Sequence, residues 1–237
     1  MTVRSGDMEI ESADGRFLAY VALPEQRNGV AVIVLQEIFG VNANIRGIVD
    51  GYAAAGYAAA APDLYWRQAP GIQLDPASEQ GREQAMGLMQ GLNRDQAVAD
   101  GAAVLDVLRE QCPDLTRSAA VGYCFGGGVA YLMAARGVVD AGISYYGTGL
   151  QDILPEMDAL KGRLLLHIAE EDHLCPPQAQ RAIAQAAAKA GGRASVSVYP
   201  GAGHAFARVG GATFNREAAD RANAETMGLV ESLIPSS

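Results

Sequence analysis

Apolar residues along this chain come in two alternating rhythms, short unbroken runs and stretches of helical spacing. Val30-Ala31-Val32-Ile33-Val34-Leu35 is apolar at every position, the pattern of a strand buried on both faces of a parallel sheet. Ile45, Ile48, Val49 and Tyr52 then mark a helix face, and Gly56 supplies its stop. Residues 57–61 form a second short strand closed by Pro62-Asp63. Before these, residues 8–10 and 16–22 flank Asp14-Gly15 and predict a β-hairpin. The alternation breaks at residues 64–77, where Pro70, Pro76 and the single tryptophan, Trp66, predict a surface loop near the site. Helical spacing resumes at 79–89 and at 95–110, the latter with Val98, Ala102, Leu105 and Leu108 on one face. Strands are predicted at 119–121, 141–145, 164–169 and 195–199, with helices after the first of these, at 178–190 and at 217–233. Repeated strand and helix units predict an α/β class, a mostly parallel central sheet with helices on both faces, whose ligands bind beyond the carboxyl ends of the strands. No repeat, charge block or linker divides the chain, so residues 1–237 are expected to form one domain.

Composition narrows the function. The chain is 49% hydrophobic and 19% charged, as expected of a globular protein rather than a disordered one. Its net charge of -9 argues against nucleic acid or an anionic membrane as partner, while leaving room for a small anion held by a few local arginines. No run approaches the roughly 18 apolar residues of a membrane span, and residues 1–11 lack a signal-peptide pattern, so a cytoplasmic monomer is expected. The three cysteines, Cys112, Cys124 and Cys175, suit neither a disulfide framework nor a zinc site, and no metal or other cofactor is expected.

The candidate chemistry centres on Gly122-Tyr123-Cys124-Phe125-Gly126, which lies between an apolar strand and a small-residue helix. It reads as a nucleophile elbow carrying cysteine: the glycines keep neighbouring backbone from clashing, and the helix N-terminus favours a thiolate and an oxyanion. There are three histidines to serve as base. His167 lies inside a strand and reads as a satisfied core residue, and His173 follows an acidic cluster. His204 sits in a glycine-rich loop directly after a strand, where a general base belongs. Glu170, Glu171 and Asp172 all follow the 164–169 strand; Asp172 is favoured to orient His204, with Glu171 as the alternative and a merely solvated acidic loop as the bland reading. The order nucleophile, acid, histidine is that of α/β-hydrolases. In that fold the loop after the first long strand donates an oxyanion-hole amide, which points to Ile38 N–H together with Phe125 N–H. Glu37, beside Ile38, is then a carboxylate able to repel or deprotonate the thiol, or else a surface acid.

The motifs QEIFG (36–40), PDLYWRQAPG (62–71), GYCFGG (122–127), YYG (145–147), EEDH (170–173) and GAGHAFAR (201–208) closely resemble the dienelactone hydrolase, or carboxymethylenebutenolidase, family. The resemblance implies the α/β-hydrolase fold and a triad of Cys124, Asp172 and His204, with Glu37 holding or deprotonating the thiol. It implies hydrolysis of a carboxylated enol-lactone, 4-carboxymethylene-butenolide, to maleylacetate in the breakdown of aromatic compounds. It further implies a substrate carboxylate held by Arg82 and Arg208, with Tyr145 also binding substrate. Read from the helix alone, Arg82 is a solvated residue. Three positions depart from the family pattern: Met86 stands where relatives place tyrosine, Met89 replaces an expected tryptophan, and Ala205 stands where a serine follows the histidine. The alternatives are a carboxylic-ester hydrolase with another small ester or lactone substrate, and a non-catalytic thiol redox sensor.

Overall fold

The computed structural model describes residues 2–235; residues 1, 236 and 237, which the single-domain expectation includes, lie outside the described residues. The chain clusters into two compact units, one built from the residues up to Ala119 together with the C-terminal end from Ile234, the other from Ala120–Leu233.

The first unit opens with the expected hairpin. β1 (Val3–Ser12) and β2 (Gly15–Pro24) run antiparallel, with Ser12 opposite Gly15 across the turn. β2 also pairs antiparallel with β4 (Ala58–Pro62), which pairs parallel with β3 (Val30–Leu35), giving the order β1-β2-β4-β3. All six residues of β3 are buried, which is why that strand carries no polar position. α1 (Ala43–Ala54) is started by the Asn42 side chain, which accepts the Ile45 amide, and Gly56 takes φ 93° after its last turn, the left-handed stop that glycine adopts at little cost. α2 (Glu79–Met89) and α3 (Arg94–Gln111) follow, capped by Ser78 and Asn93.

Between β4 and α2 the chain has no helix or strand, yet it is tightly bound. The Asp63 carboxylate accepts from the amides of Tyr65 and Gly71, at 2.9 and 2.7 Å. Burial pushes that carboxyl above its usual range, against these two hydrogen bonds. Trp66 stacks on Phe17 and donates to buried Asp100 at 3.1 Å, and Asp100 also receives Arg67 at 2.7 Å. The segment expected to be a surface loop is thus anchored by two polar centres, Asp63 and Asp100, and carries buried Leu64 and Tyr65.

The chain enters the second unit along β5 (Arg117–Tyr123). α4 (Phe125–Ala135), β6 (Ala141–Tyr145), two short 3-10 segments (Leu150–Asp152 and Leu154–Ala159), β7 (Arg163–Ala169), α5 (Pro177–Lys189), β8 (Ala194–Tyr199) and α6 (Arg216–Glu231) follow. The strand order is β5-β6-β7-β8, with β6, β7 and β8 mutually parallel. Every residue of α4 is buried, and its small residues let β6 approach: a Cβ at Gly142 would collide with the Ala130 carbonyl oxygen. Parallel strands place their carboxyl ends, and the loops that leave them, along one edge. Among the described residues no helix is long and apolar enough to cross a membrane.

Candidate active site

The turn between β5 and α4 is a strained elbow. Cys124 has φ 54° and ψ -114°, a region that costs a residue with a Cβ roughly 1–3 kcal/mol. Glycine at 122 is required because a Cβ there would collide with the Gly126 carbonyl. Gly127 is required because its Cβ would lie 2.6 Å from Ser144 Oγ and 2.8 Å from Gly147 Cα. The elbow is held by main-chain bonds: the Cys124 amide donates to the Tyr145 carbonyl at 3.0 Å, and the Cys124 carbonyl accepts from Gly127 and Thr148. Phe125 is the first residue of α4, so the sulfur stands beside the amide-rich end of a fully buried helix.

His204 reaches the same place from the loop after β8, and Asp172 from the turn after β7. His204 Nδ1 lies 2.7 Å from Asp172 Oδ2, and the imidazole also hydrogen-bonds the Cys124 side chain. Asp172 is 4% exposed and its other oxygen accepts the Leu174 amide at 2.8 Å, so the carboxylate is fixed at both ends. The three adjacent acids separate cleanly: Glu170 accepts the Gly201 amide, Glu171 is exposed, and Asp172 alone meets the imidazole. Burial by itself would lower the His204 pKa, but the hydrogen bonds and charges of Asp172 and Cys124 outweigh it and push the value up from 6.5 to about 10. At neutral pH the ring is therefore a cation lying between a carboxylate and a sulfur, a proton donor in place. Burial and the nearby Asp172 push the Cys175 thiol up to about 11 and keep it protonated.

The other expected site residues fall in two groups. Arg208 is half-buried in the His204 loop, its amide donating to the Ala205 carbonyl. Tyr145 ends β6 directly under the elbow; it is buried, its ring stacks on Tyr123, and its hydroxyl meets Asn223 and Thr226. Glu37, Ile38 and Arg82 belong to the first unit. Glu37 is 3% exposed at the end of β3, and the Ile38 carbonyl accepts the Tyr65 hydroxyl at 2.9 Å, so the bound segment after β4 fixes this loop. Arg82 is exposed on α2 and donates to the carbonyls of Pro76 and Ala77.

The backbone conformation of two residues near His204 was not foreseen from the sequence. Tyr146 holds φ 39° and presents its ring edge-on to His204 at 5.2 Å, and Ala205 holds φ 64° immediately after the histidine. Two non-glycine residues in the left-handed region beside one imidazole mark where backbone strain is concentrated. The residue after Tyr146, Gly147, has no room for a side chain, since a Cβ there would collide with Ser144 Oγ. His173 also presents its ring to His204, at 6.1 Å. Among the described residues no group of three or more His, Cys, Asp or Glu side chains could hold a metal ion.

The model of the dienelactone hydrolase family matches residues 17–233. A protein of Azospirillum brasilense named "Putative carboxymethylenebutenolidase" is 40% identical over 220 residues, spanning 90% of this chain and 92% of that one. A carboxymethylenebutenolidase of Pseudomonas putida is 38% identical over 227 residues, spanning 95% and 96%. Among solved structures, one described as a "Putative Dienelactone Hydrolase" from Klebsiella pneumoniae superposes with a TM-score of 0.80 at 25% identity, covering 98% of this chain and 99% of its own. The fold is that of α/β hydrolases.

Proposed function

We propose, from the premise that this chain belongs to the dienelactone hydrolase family and is a hydrolase, that it opens a small carboxylated enol-lactone of the 4-carboxymethylene-butenolide type by cysteine nucleophilic catalysis. The observation that carries the reading is the His204 imidazole, 2.7 Å from Asp172 and hydrogen-bonded to a cysteine on a strained elbow. The Cys124 thiolate adds to the ring carbonyl carbon, forming a C–S bond and an oxyanion. The family pattern assigns the amides of Phe125 and Ile38 to that oxyanion. Collapse breaks the ring C–O bond and expels an enolate, whose charge is delocalised and which takes its proton from the His204 imidazolium. The neutral imidazole then accepts a proton from water as that water attacks the thioester. The acid product leaves and the thiolate and imidazolium pair is restored, with Asp172 fixing which ring nitrogen faces the reaction. On this reading maleylacetate is the product for the parent lactone, and the reaction belongs to the breakdown of aromatic compounds.

The motifs assign Arg208 and Arg82 to the substrate carboxylate, a role suited to the planar fork of a guanidinium, and Glu37 to control of the thiol. Met86, 53% exposed, and buried Ala205 lie where the family pattern has hydroxyl groups, which favours a lactone with a more apolar substituent. The decisive measurement is enol-lactone hydrolysis followed by ultraviolet absorbance. Cys124→Ala is expected to abolish turnover, and a variant keeping near-full rate sinks the mechanism.

A further inference from the structure

His167 is buried at 0% exposure in β7, outside the reaction just described, yet both its ring nitrogens are occupied. Nδ1 lies 2.7 Å from the Tyr199 hydroxyl of β8, and Nε2 lies 2.9 Å from Thr226 Oγ1 of α6. Thr226 Oγ1 is in turn 2.7 Å from the Tyr145 hydroxyl of β6, and that hydroxyl donates to Asn223 Oδ1 at 2.9 Å. With the Tyr145 hydroxyl donating to Asn223, the remaining contacts take one direction. The amide oxygen of Asn223 only accepts, so the Tyr145 proton is spent there and Tyr145 must accept from Thr226. The Thr226 proton is thereby spent too, so Thr226 accepts from His167 Nε2–H. A neutral imidazole has one N–H, which leaves Nδ1 to accept from Tyr199. Burial and the charge of Arg221 hold the ring neutral, pushing its pKa down from 6.5 to about 3.

The main chain of the same residues carries the candidate active site. The Tyr145 carbonyl accepts the Cys124 amide, the His167 carbonyl accepts the Tyr146 amide, and the Tyr199 carbonyl accepts the amides of Glu170 and Ala202. Those amides open the elbow, the tyrosine beside His204, the Asp172 turn and the His204 loop. We propose that Tyr199, His167, Thr226, Tyr145 and Asn223 form one directional hydrogen-bond chain that ties three strand ends to α6 and thereby sets the mutual positions of Cys124, Asp172 and His204. These are positioning residues for the proposed hydrolysis, and their catalytic consequence rests on that reading. Tyr145, His167, Tyr199 and Thr226 are buried while Asn223 is exposed; polar groups as deep as those four destabilise unless every one is satisfied, and satisfied they admit one register where apolar side chains would admit several. The charged groups facing His167 are Glu225, 3.8 Å from Nδ1, and Arg221, which lies over the Tyr199 ring at 4.2 Å and pairs with Glu225 at 3.5 Å. Ser197 donates to Glu225 Oε2 at 2.5 Å and the Tyr199 hydroxyl donates to the same oxygen at 3.2 Å, so the one Tyr199 proton is shared between that carboxylate and the closer His167 Nδ1.

Imidazole nitrogen NMR on the full chain tests the polarity. His167 is expected to show Nε2–H with bare Nδ1 and to stay neutral down to about pH 5; the opposite tautomer, or titration above that pH, overturns the chain whatever the enzyme hydrolyses. Thr226→Val cuts the link with little change in shape, and Thr226→Ser restores it. Mapped alkylation of Cys124 and kcat on the enol-lactone are both expected to fall about tenfold in Thr226→Val, with KM held within about twofold, and to recover in Thr226→Ser. A loss of thermal stability with unchanged alkylation overturns the positioning role. A wild type that alkylates normally but hydrolyses no lactone refutes the proposed function and leaves the chain to be judged by the tautomer and the alkylation rates.

Discussion

The charge on His204 is the most consequential single-residue feature, because its two partners pull it in the direction opposite to burial. Its value of about 10 lies above the ordinary 6.5, so the stabilisation it contributes is complete below 6.5 and is lost as pH rises through about 10. Melting temperatures of the wild type and His204→Asn are therefore expected to converge as pH is raised from neutrality through about 10, and a constant gap would show that the ring is not charged in the folded state. Catalysis has a sharper reading. Asp172→Asn removes the carboxylate that raises the imidazole, so the alkaline limb of the pH–rate profile should move from about 10 toward 6.5. Turnover should fall about 10²- to 10⁴-fold, the range for lost acid–base assistance. An unshifted alkaline limb would assign it to another group.

Elements explain which parts of this were readable beforehand. The elbow is expected to be intolerant: Gly122→Ala forces a Cβ onto the Gly126 carbonyl and should cost about 1–3 kcal/mol, or about 2–4 °C of melting temperature for each kcal/mol, with loss of activity. In α6 the opposite is expected, since nothing lies within 4 Å of a Cβ at Gly228. Gly228→Ala should raise stability by about 0.5–1 kcal/mol with kcat unchanged, measured by thermal melting. A destabilised variant would mean that the helix needs the glycine for something other than space. The strands were legible because buried parallel strands are mostly apolar; β3 begins and ends where its apolar run does, and β6 spans the residues predicted for it. Cys124, His204 and Asp172 were legible because each lies in a loop just beyond such a run. The two 3-10 segments were not, being too short to show a period. Tyr146 and Ala205 were hidden for another reason: a left-handed φ at a non-glycine is imposed by tertiary contacts and leaves no local signature. Thr226 and Asn223 read as ordinary helix positions, and only the fold brings them to Tyr145 and His167.

For the molecule as a whole, a net charge of -9 meets a substrate proposed to be an anion. The two act at different ranges. At about 0.01 M salt the screening length is about 30 Å, long enough for the summed negative charge to repel an approaching carboxylate; at about 0.15 M it is about 8 Å, and only nearby groups act. A guanidinium in direct contact with the carboxylate, as proposed for Arg208, is screened far less because the pair excludes water. The KM for a carboxylated enol-lactone is therefore expected to fall as salt rises across that interval, while the KM for its neutral ester counterpart stays level. Arg208→Ala should raise the first KM at every salt concentration and leave the second nearly unchanged. Steady-state rates on the two substrates, measured at both ionic strengths, decide the matter. A KM for the anion that climbs with salt would mean that local cations govern approach as well as binding, and that the acidic surface has no part in substrate selection.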